Sequence, residues 1–177
     1  VLEEYLEGMQ RSLSLDRVIT TATSPLRRFG NSGGDSQLGN LTAEAMQYRR
    51  YVESEFCVTN SLGIRTDILE GDLTYEQMYN VMPFENTTMT LSGIEVQELL
   101  NFATRSSAER GCNSQIQVSG VTFTMNCRTG EAEDIVIAGK PLSPLGAYDM
   151  CTNNYMAWGG SGFRVLKRNT TKVDTGI

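Results

Sequence analysis

Histidine is absent from the 177 residues of this chain. It is the commonest side-chain ligand for transition metals and the usual proton carrier near neutral pH. Without it, triads built on a serine or cysteine with histidine are excluded, and any metal site is left to carboxylates or thiolates. The chain also lacks any run approaching the roughly 20 apolar residues of a membrane span, and no signal-like segment is present. A basic surface is missing as well. Lys and Arg number 15 against 21 Asp and Glu, a net charge of −6. The tightest basic groups, Arg27-Arg28 and Arg49-Arg50, are too small for a phosphate-tracking stripe, which argues against a nucleic-acid partner. Histidine-based metal or general-base chemistry, if it is done at all, must come from another domain or chain. Valine at position 1 is read as the start of an excised piece, so the lack of a targeting segment says little.

Cysteine is scarce: Cys57, Cys112, Cys127 and Cys151. None shows the C-x-x-C spacing of zinc or thioredoxin-like sites, and three pairings are open. Cys112 and Cys127 flank two alternating segments, 115–118 and 121–125, separated by Ser119-Gly120. If these form a hairpin, its outer ends come close enough for a disulfide, and such a bridge implies an oxidising compartment. Buried free thiols in a reducing one are the alternative.

What is present fits a single domain over 1–177, with 40% hydrophobic residues to build a core. Leu2, Tyr5, Leu6 and Met9 predict a short amphipathic helix over 1–13. Val18 to Thr23 reads as a β-branched strand stopped by Pro25. A Gly/Ser/Asn/Asp loop over 30–37 precedes an apolar-faced helix from about Leu38 to Val52. Phe56 to Thr59 reads as a buried strand. Thr74-Tyr-Glu-Gln77 and Ser92-Gly-Ile-Glu95 have capping-box spacing, so helices start at both, the first halted by Pro83. Strands are expected at 87–91, in the two hairpin segments, at 135–137 and at 148–152. Helices and strands interleave without strict alternation. The expected fold class is therefore α/β in the mixed α+β sense, a mixed sheet packed with helices.

Four segments fall at element ends, where binding groups are displayed. In Asp35-Ser-Gln-Leu-Gly-Asn-Leu41, Gly39 permits close approach and Asn40 can cap a turn or helix. In the stretch from Asn60 to Arg65, an amide and a guanidinium can converge on one ligand. In Met82-Pro-Phe-Glu-Asn-Thr87, Phe84 is a stacking platform for a flat heterocycle. In the segment from Asn153 to Phe163, three glycines in four positions follow Tyr155 and Trp158, of which one is expected in the core. The last segment is neither a P-loop nor a dinucleotide fingerprint.

Taken together and in order, GDSQLGNLTAEAM, the strand into NSLGIR, GDLTYEQMYNVMPFENT, QVSGVTFTMN and NNYMAWGGSGF resemble the C-terminal domain of the 5′-nucleotidase family over about residues 15–170. That family includes UDP-sugar hydrolases and 2′,3′-cyclic-nucleotide phosphodiesterases. The resemblance implies a substrate-binding half of a phosphoric-ester hydrolase. Its partner is an N-terminal metallophosphoesterase domain with two divalent metals, absent from this chain. It implies no catalytic residue and no metal ligand here, an inactive isolated fragment, and an exported protein, extracellular or periplasmic. It matches Asn60 and Arg65 to substrate contacts, Phe84 and Tyr155 to a pair of rings around the base, and Asn86 to the base edge. Gly159, Gly160 and Ser161 match the sugar-binding turn.

The chain departs from the family at several of these positions. Ser161 stands where the family has an aspartate, so the charge-assisted bond to a sugar diol is lost. Ser61 and Leu62 replace two glycines and narrow the pocket, and Glu85 replaces a third. These departures leave room for a homologue acting on a UDP-sugar, a cyclic nucleotide or a sulfur ester, or for a non-catalytic extracellular binding module. Asn40, Asn86 and Asn169 head N-x-S/T sequons; Asn40 and Asn86 lie in motif loops, and the sequons are read as structural.

Overall fold

The computed structural model describes residues 14–30 and 33–175, so the expected helix over 1–13 lies outside the described residues. Its centre is a five-stranded sheet with strand order β10-β4-β9-β2-β5. The strands are β2 (Phe56–Asn60), β4 (Asn86–Ser92), β5 (Ile116–Ser119), β9 (Ala147–Asn153) and β10 (Val173–Asp174). Only β2 and β9 run parallel; β4 is antiparallel to β9, and β5 to β2. The sheet is mixed, as expected.

Alternation along β2 explains its position at the centre. Phe56 and Val58 enter the main core with Met89, Leu91, Leu99 and Met150, while Cys57 joins Met46 and Cys151 in a separate cluster. Every residue of β2 is buried, so both faces of the sheet are covered. One cover is α3 (Gly93–Ala108), which contributes Val96, Leu99, Leu100 and Ala103 to the main core. The other is α1 (Gln37–Gln47), which carries Met46. A third cluster of Leu38, Ile64, Ile68, Leu73 and Val81 lies under the pair β1 (Val18–Ala22) and β3 (Gly71–Thr74) and the helix α2 (Tyr75–Val81).

Both capping boxes are formed. Thr74 accepts from the Gln77 N–H while the Gln77 side chain returns to the Thr74 N–H, and Ser92 and Glu95 do the same for α3. The expected helix from Leu38 to Val52 is shorter than read, ending at Gln47. Beyond it Tyr51 adopts φ +69°; Tyr48 and Tyr51 are exposed, while Val52 packs against the Met46 cluster from outside the helix. The cap of α1 is Ser36, whose hydroxyl accepts from the Gly39 N–H, not Asn40, which is the fourth residue of the helix.

Cys112 and Cys127 are bonded, with Cα atoms 5.9 Å apart, but not across a hairpin. β5 pairs with β2, whereas β6 (Val121–Asn126) pairs with β7 (Glu131–Ile137) in a separate three-stranded sheet that β8 (Lys140–Pro141) completes. The bridge instead ties the loop after α3 to the end of β6. Cys57 and Cys151 form the second disulfide between register partners on β2 and β9, Cα atoms 4.5 Å apart.

Candidate functional site

The carboxyl ends of parallel strands are where open mixed sheets normally place their ligands, and here β2 ends in Asn60 and β9 in Asn153. Asn153 is fully buried and joins them. Its Nδ2 donates to Thr59 Oγ1 at 3.0 Å and to Asn60 Oδ1 at 2.9 Å. Its Oδ1 accepts from the Met156 N–H at 2.9 Å, which caps the short helix α4 (Asn154–Ala157) carrying Tyr155. One amide therefore sets the spacing between Asn60 and Tyr155.

The turn after β2 is fixed from below. Gln117 Oε1 accepts from the Ser36 N–H at 2.9 Å, and Gln117 Nε2 donates to Ser61 Oγ at 3.2 Å. Ser61 Oγ donates to the Ser114 carbonyl at 2.9 Å. A Cβ at Gly39 would collide with the Gln117 side chain, which is the close approach expected of that glycine.

Asn60, Leu62, Tyr155 and Ser161 line one cavity of about 590 Å³, together with Phe102, Phe163 and the end of α3; Phe84 and Asn86 are not among its lining residues. Tyr155 is 49% exposed and Trp158 63%, so neither ring is core, contrary to the expectation for one of them. The Ser161 N–H donates to the Tyr155 hydroxyl oxygen at 3.1 Å. Hydrogen bonding from the Ser161 side chain, and then from its backbone N–H, lowers the Tyr155 pKa below the ordinary tyrosine value by stabilising the phenolate. Ser161 holds this position at φ +54°. At Gly160 a Cβ would lie 2.5 Å from Tyr155 Cε1, so the glycine turn seats the ring closely.

Phe84 and Asn86 reach the same end of the sheet through β4. Asn86 is the register partner of Asn153, and the Asn154 N–H donates to the Glu85 carbonyl at 2.8 Å. Phe84 and Tyr155 thus each stand two residues beyond a paired position, in chain segments leaving the sheet side by side. Phe84 is half-buried. Asn86 is 7% exposed and its Oδ1 has no hydrogen-bond partner among the described residues.

Arg65 is set apart. It lines a neighbouring cavity of about 840 Å³ with Arg28, Asp67 and Glu70. Its guanidinium turns back to the Leu62 carbonyl at 3.4 Å, and its own carbonyl accepts from Arg28 at 2.7 Å. Asn60 and Arg65 therefore line different cavities, joined through Leu62. Asn153, Gln117, Arg105 and Arg110 escaped the motif reading. Asn153 and Gln117 each open one of the motif blocks, Arg105 is an exposed position of α3, and Arg110 lies just beyond its end.

Among the described residues no group of three or more His, Cys, Asp or Glu side chains is placed to hold a metal ion, so no metal step is derived from this chain. No helix among them is long and apolar enough to cross a membrane.

This fold is that of a 5′-nucleotidase C-terminal domain. Residues 18–168 match the family described as 5′-nucleotidase, C-terminal domain, and the chain belongs to that family. It is 32% identical over 157 residues to the trifunctional nucleotide phosphoesterase protein YfkN of Bacillus subtilis, covering 80% of this chain and 10% of that one. It is 30% identical over 144 residues to the protein UshA of Escherichia coli, covering 80% of this chain and 25% of that one. The 5′-nucleotidase precursor of Thermus thermophilus superposes with a TM-score of 0.80 at 27% identity, over 99% of this chain and 37% of that one. The chain thus spans between a tenth and about a third of the length of these relatives.

Proposed function

We propose that this chain is the substrate-binding domain of a metal-dependent 5′-nucleotidase-like phosphohydrolase and that it holds the base and sugar of a nucleotide. The observation that carries the reading is the meeting of Asn60, Tyr155 and Ser161 around one cavity of about 590 Å³, within the size range of small-molecule sites. Tyr155 lines this cavity, and Phe84, at the adjoining end of β4, completes a clamp on the base. The unpartnered Asn86 Oδ1 accepts from the base edge, which relieves a buried polar atom otherwise costing about 1–3 kcal/mol. Asn60 and Ser161 hydrogen-bond the sugar, Arg65 orients the substrate from the adjoining cavity, and Gly159 and Gly160 shape the turn.

In this reading the two divalent metals belong to an N-terminal metallophosphoesterase domain, and the isolated chain has no phosphatase activity. Two disulfides support an exported protein, extracellular or periplasmic, since such bonds persist in oxidising compartments. Ser161 favours a second reading: without a carboxylate for the sugar diol, the substrate is a UDP-sugar, a cyclic nucleotide or a sulfur ester, which a substrate panel on the full-length protein separates. The primary test is calorimetry with adenosine. Stacking on an aromatic contributes about 1–3 kcal/mol, so Phe84→Ala and Tyr155→Ala should each weaken binding by about fivefold or more. Unchanged affinity in both variants refutes the clamp.

A further inference from the structure

The segment from Ile116 to Asn126 lies at a sheet edge twice over. β5 is the terminal strand of the five-stranded sheet, and β6, one glycine later, is the terminal strand of the three-stranded sheet. The ladder shows which way the β5 backbone points. The Ser61 N–H donates to the Gln115 carbonyl at 2.9 Å, in register with the β2–β5 pairing. Antiparallel alternation then turns the backbone groups of Gln117 and Ser119 toward β2 and those of Ile116 and Val118 away from it. The Ile116 carbonyl accepts from Ser114 Oγ at 2.6 Å. Among the described residues no strand pairs with this outer edge.

The edge opens on a groove of about 480 Å³ that shares no lining residue with the two cavities above. Every residue from 116 to 123 lines it. Side chains on one face would supply only every second residue, so the groove runs along the strand edge itself. Opposite stand Asp35, from the loop before α1, and Asn40 and Glu44, one turn apart on α1; all three are exposed. Asn40 Nδ2 donates to Asp35 Oδ2 at 2.8 Å. Phe123 and Met125, both half-buried, add apolar surface. Residues 116–126 hold no charged residue and no proline, the side chains that usually keep a sheet edge from pairing.

We infer that this groove binds an extended, lysine- or arginine-bearing segment of another protein, which adds to the outer edge of β5 as a further strand. Its backbone meets the Ile116 N–H and the N–H and C=O of Val118, the main-chain recognition of strand addition. Its apolar side chains rest on Phe123 and Met125, and a cationic one reaches the carboxylates of Asp35 and Glu44. Charge selects the occupant. A second copy of this chain would bring an uncharged edge and the same two carboxylates, whereas a basic segment supplies the opposite sign. The interaction leaves the cavities at Tyr155 and Arg65 open.

The test is fluorescence anisotropy of the chain with a labelled heptapeptide, Lys-Val-Thr-Val-Lys-Val-Thr. Beside it run a counterpart with glutamate in place of lysine and a form methylated on every peptide nitrogen. The chain variants are the double substitution Asp35→Asn with Glu44→Gln, and Val118→Pro, since proline is tolerated on an edge strand where the lost N–H faces outward. Thermal melts verify folding; should Val118→Pro not fold, the double variant and the methylated peptide decide. The lysine peptide should bind about tenfold tighter than the glutamate one, and the double variant should erase that difference. Val118→Pro and backbone methylation should each abolish binding. No binding of the lysine peptide at about 1 mM, equal affinity for the two charge forms, or undiminished binding of the methylated form overturns the inference. So does a dimer in sedimentation velocity that Val118→Pro dissolves, which would give the edge to a second copy.

Discussion

Asn153→Ala is the substitution whose cost the structure defines most closely. The side chain is fully buried and makes bonds to Thr59 Oγ1, Asn60 Oδ1 and the Met156 N–H. Losing the cap on α4 costs about 1 kcal/mol. Asn60 Oδ1 is then a buried acceptor without a donor, worth about 1–3 kcal/mol, whereas the Thr59 hydroxyl can rotate to another partner. The sum, about 2–4 kcal/mol, corresponds to a Tm lowered by about 5–15 °C for a chain of this size. Urea or thermal unfolding measures it. A double-mutant cycle with Asn60→Ala should return a coupling of about 1 kcal/mol, because the second substitution removes the stranded acceptor. A loss below about 0.5 kcal/mol, or strict additivity in the cycle, would show that this amide does not tie β9 to β2.

Three further outcomes follow from the same packing. Gly39→Ala improves helix propensity by about 1 kcal/mol, yet it drives a methyl into Gln117 and breaks that side chain's bonds to Ser36 and Ser61. Net destabilisation of about 1–3 kcal/mol is expected, and a variant as stable as the parent would contradict the packing. The backbone N–H of Arg28, then the guanidinium of Arg27, holds the Asp67 carboxyl below its ordinary value of 3.8. Its contribution is therefore present above about pH 4 and lost as pH falls through the lowered folded-state value. Asp67→Asn should cost under about 1 kcal/mol at pH 7, screened by solvent, with the gap to wild type closing in acid; a gap that widens in acid refutes the assignment. Finally, Cys112 and Cys127 are half-buried while Cys57 and Cys151 are fully buried, so mild reductant with alkylation and mass spectrometry should open Cys112–Cys127 first. The two bridges lie 15 and 94 residues apart in sequence, and chain entropy values them at about 3 and about 4.7 kcal/mol. The opposite order of reduction would contradict the burial.

Local signals carried into the structure intact. Thr74–Gln77 and Ser92–Glu95 each announce a helix start because the capping bonds involve residues three apart, which a single chain segment displays. The strand at Phe56 is legible for the same reason: its apolar run is short and bounded by polar residues. Non-local choices were less visible. Tyr48 and Val52 continue the apolar spacing of α1, but the chain turns at Tyr51 and leaves the tyrosines in solvent. The alternating segments around Ser119-Gly120 read as a hairpin, yet β5 is drawn to the edge of β2 and β6 to β7. The disulfide between Cys112 and Cys127 stands although the hairpin argued for it does not form.

The site divides in the same way. Asn60, Tyr155 and Ser161 sit at element ends whose composition is recognisable, and they converge because β2 and β9 end together. Phe84 and Asn86 reach that end through the pairing of β4 with β9, which no local pattern encodes. Arg65 follows Asn60 by five residues but the turn carries it into the neighbouring cavity.

The central claim is that a nucleobase sits between Phe84 and Tyr155. Proton NMR of adenosine titrated with the chain tests it most directly, since a base stacked between two rings is shielded by both. Upfield shifts of the adenine ring-proton resonances are expected, shrinking in Phe84→Ala and in Tyr155→Ala. Shifts absent from the wild type, or undiminished in both variants, would contradict it.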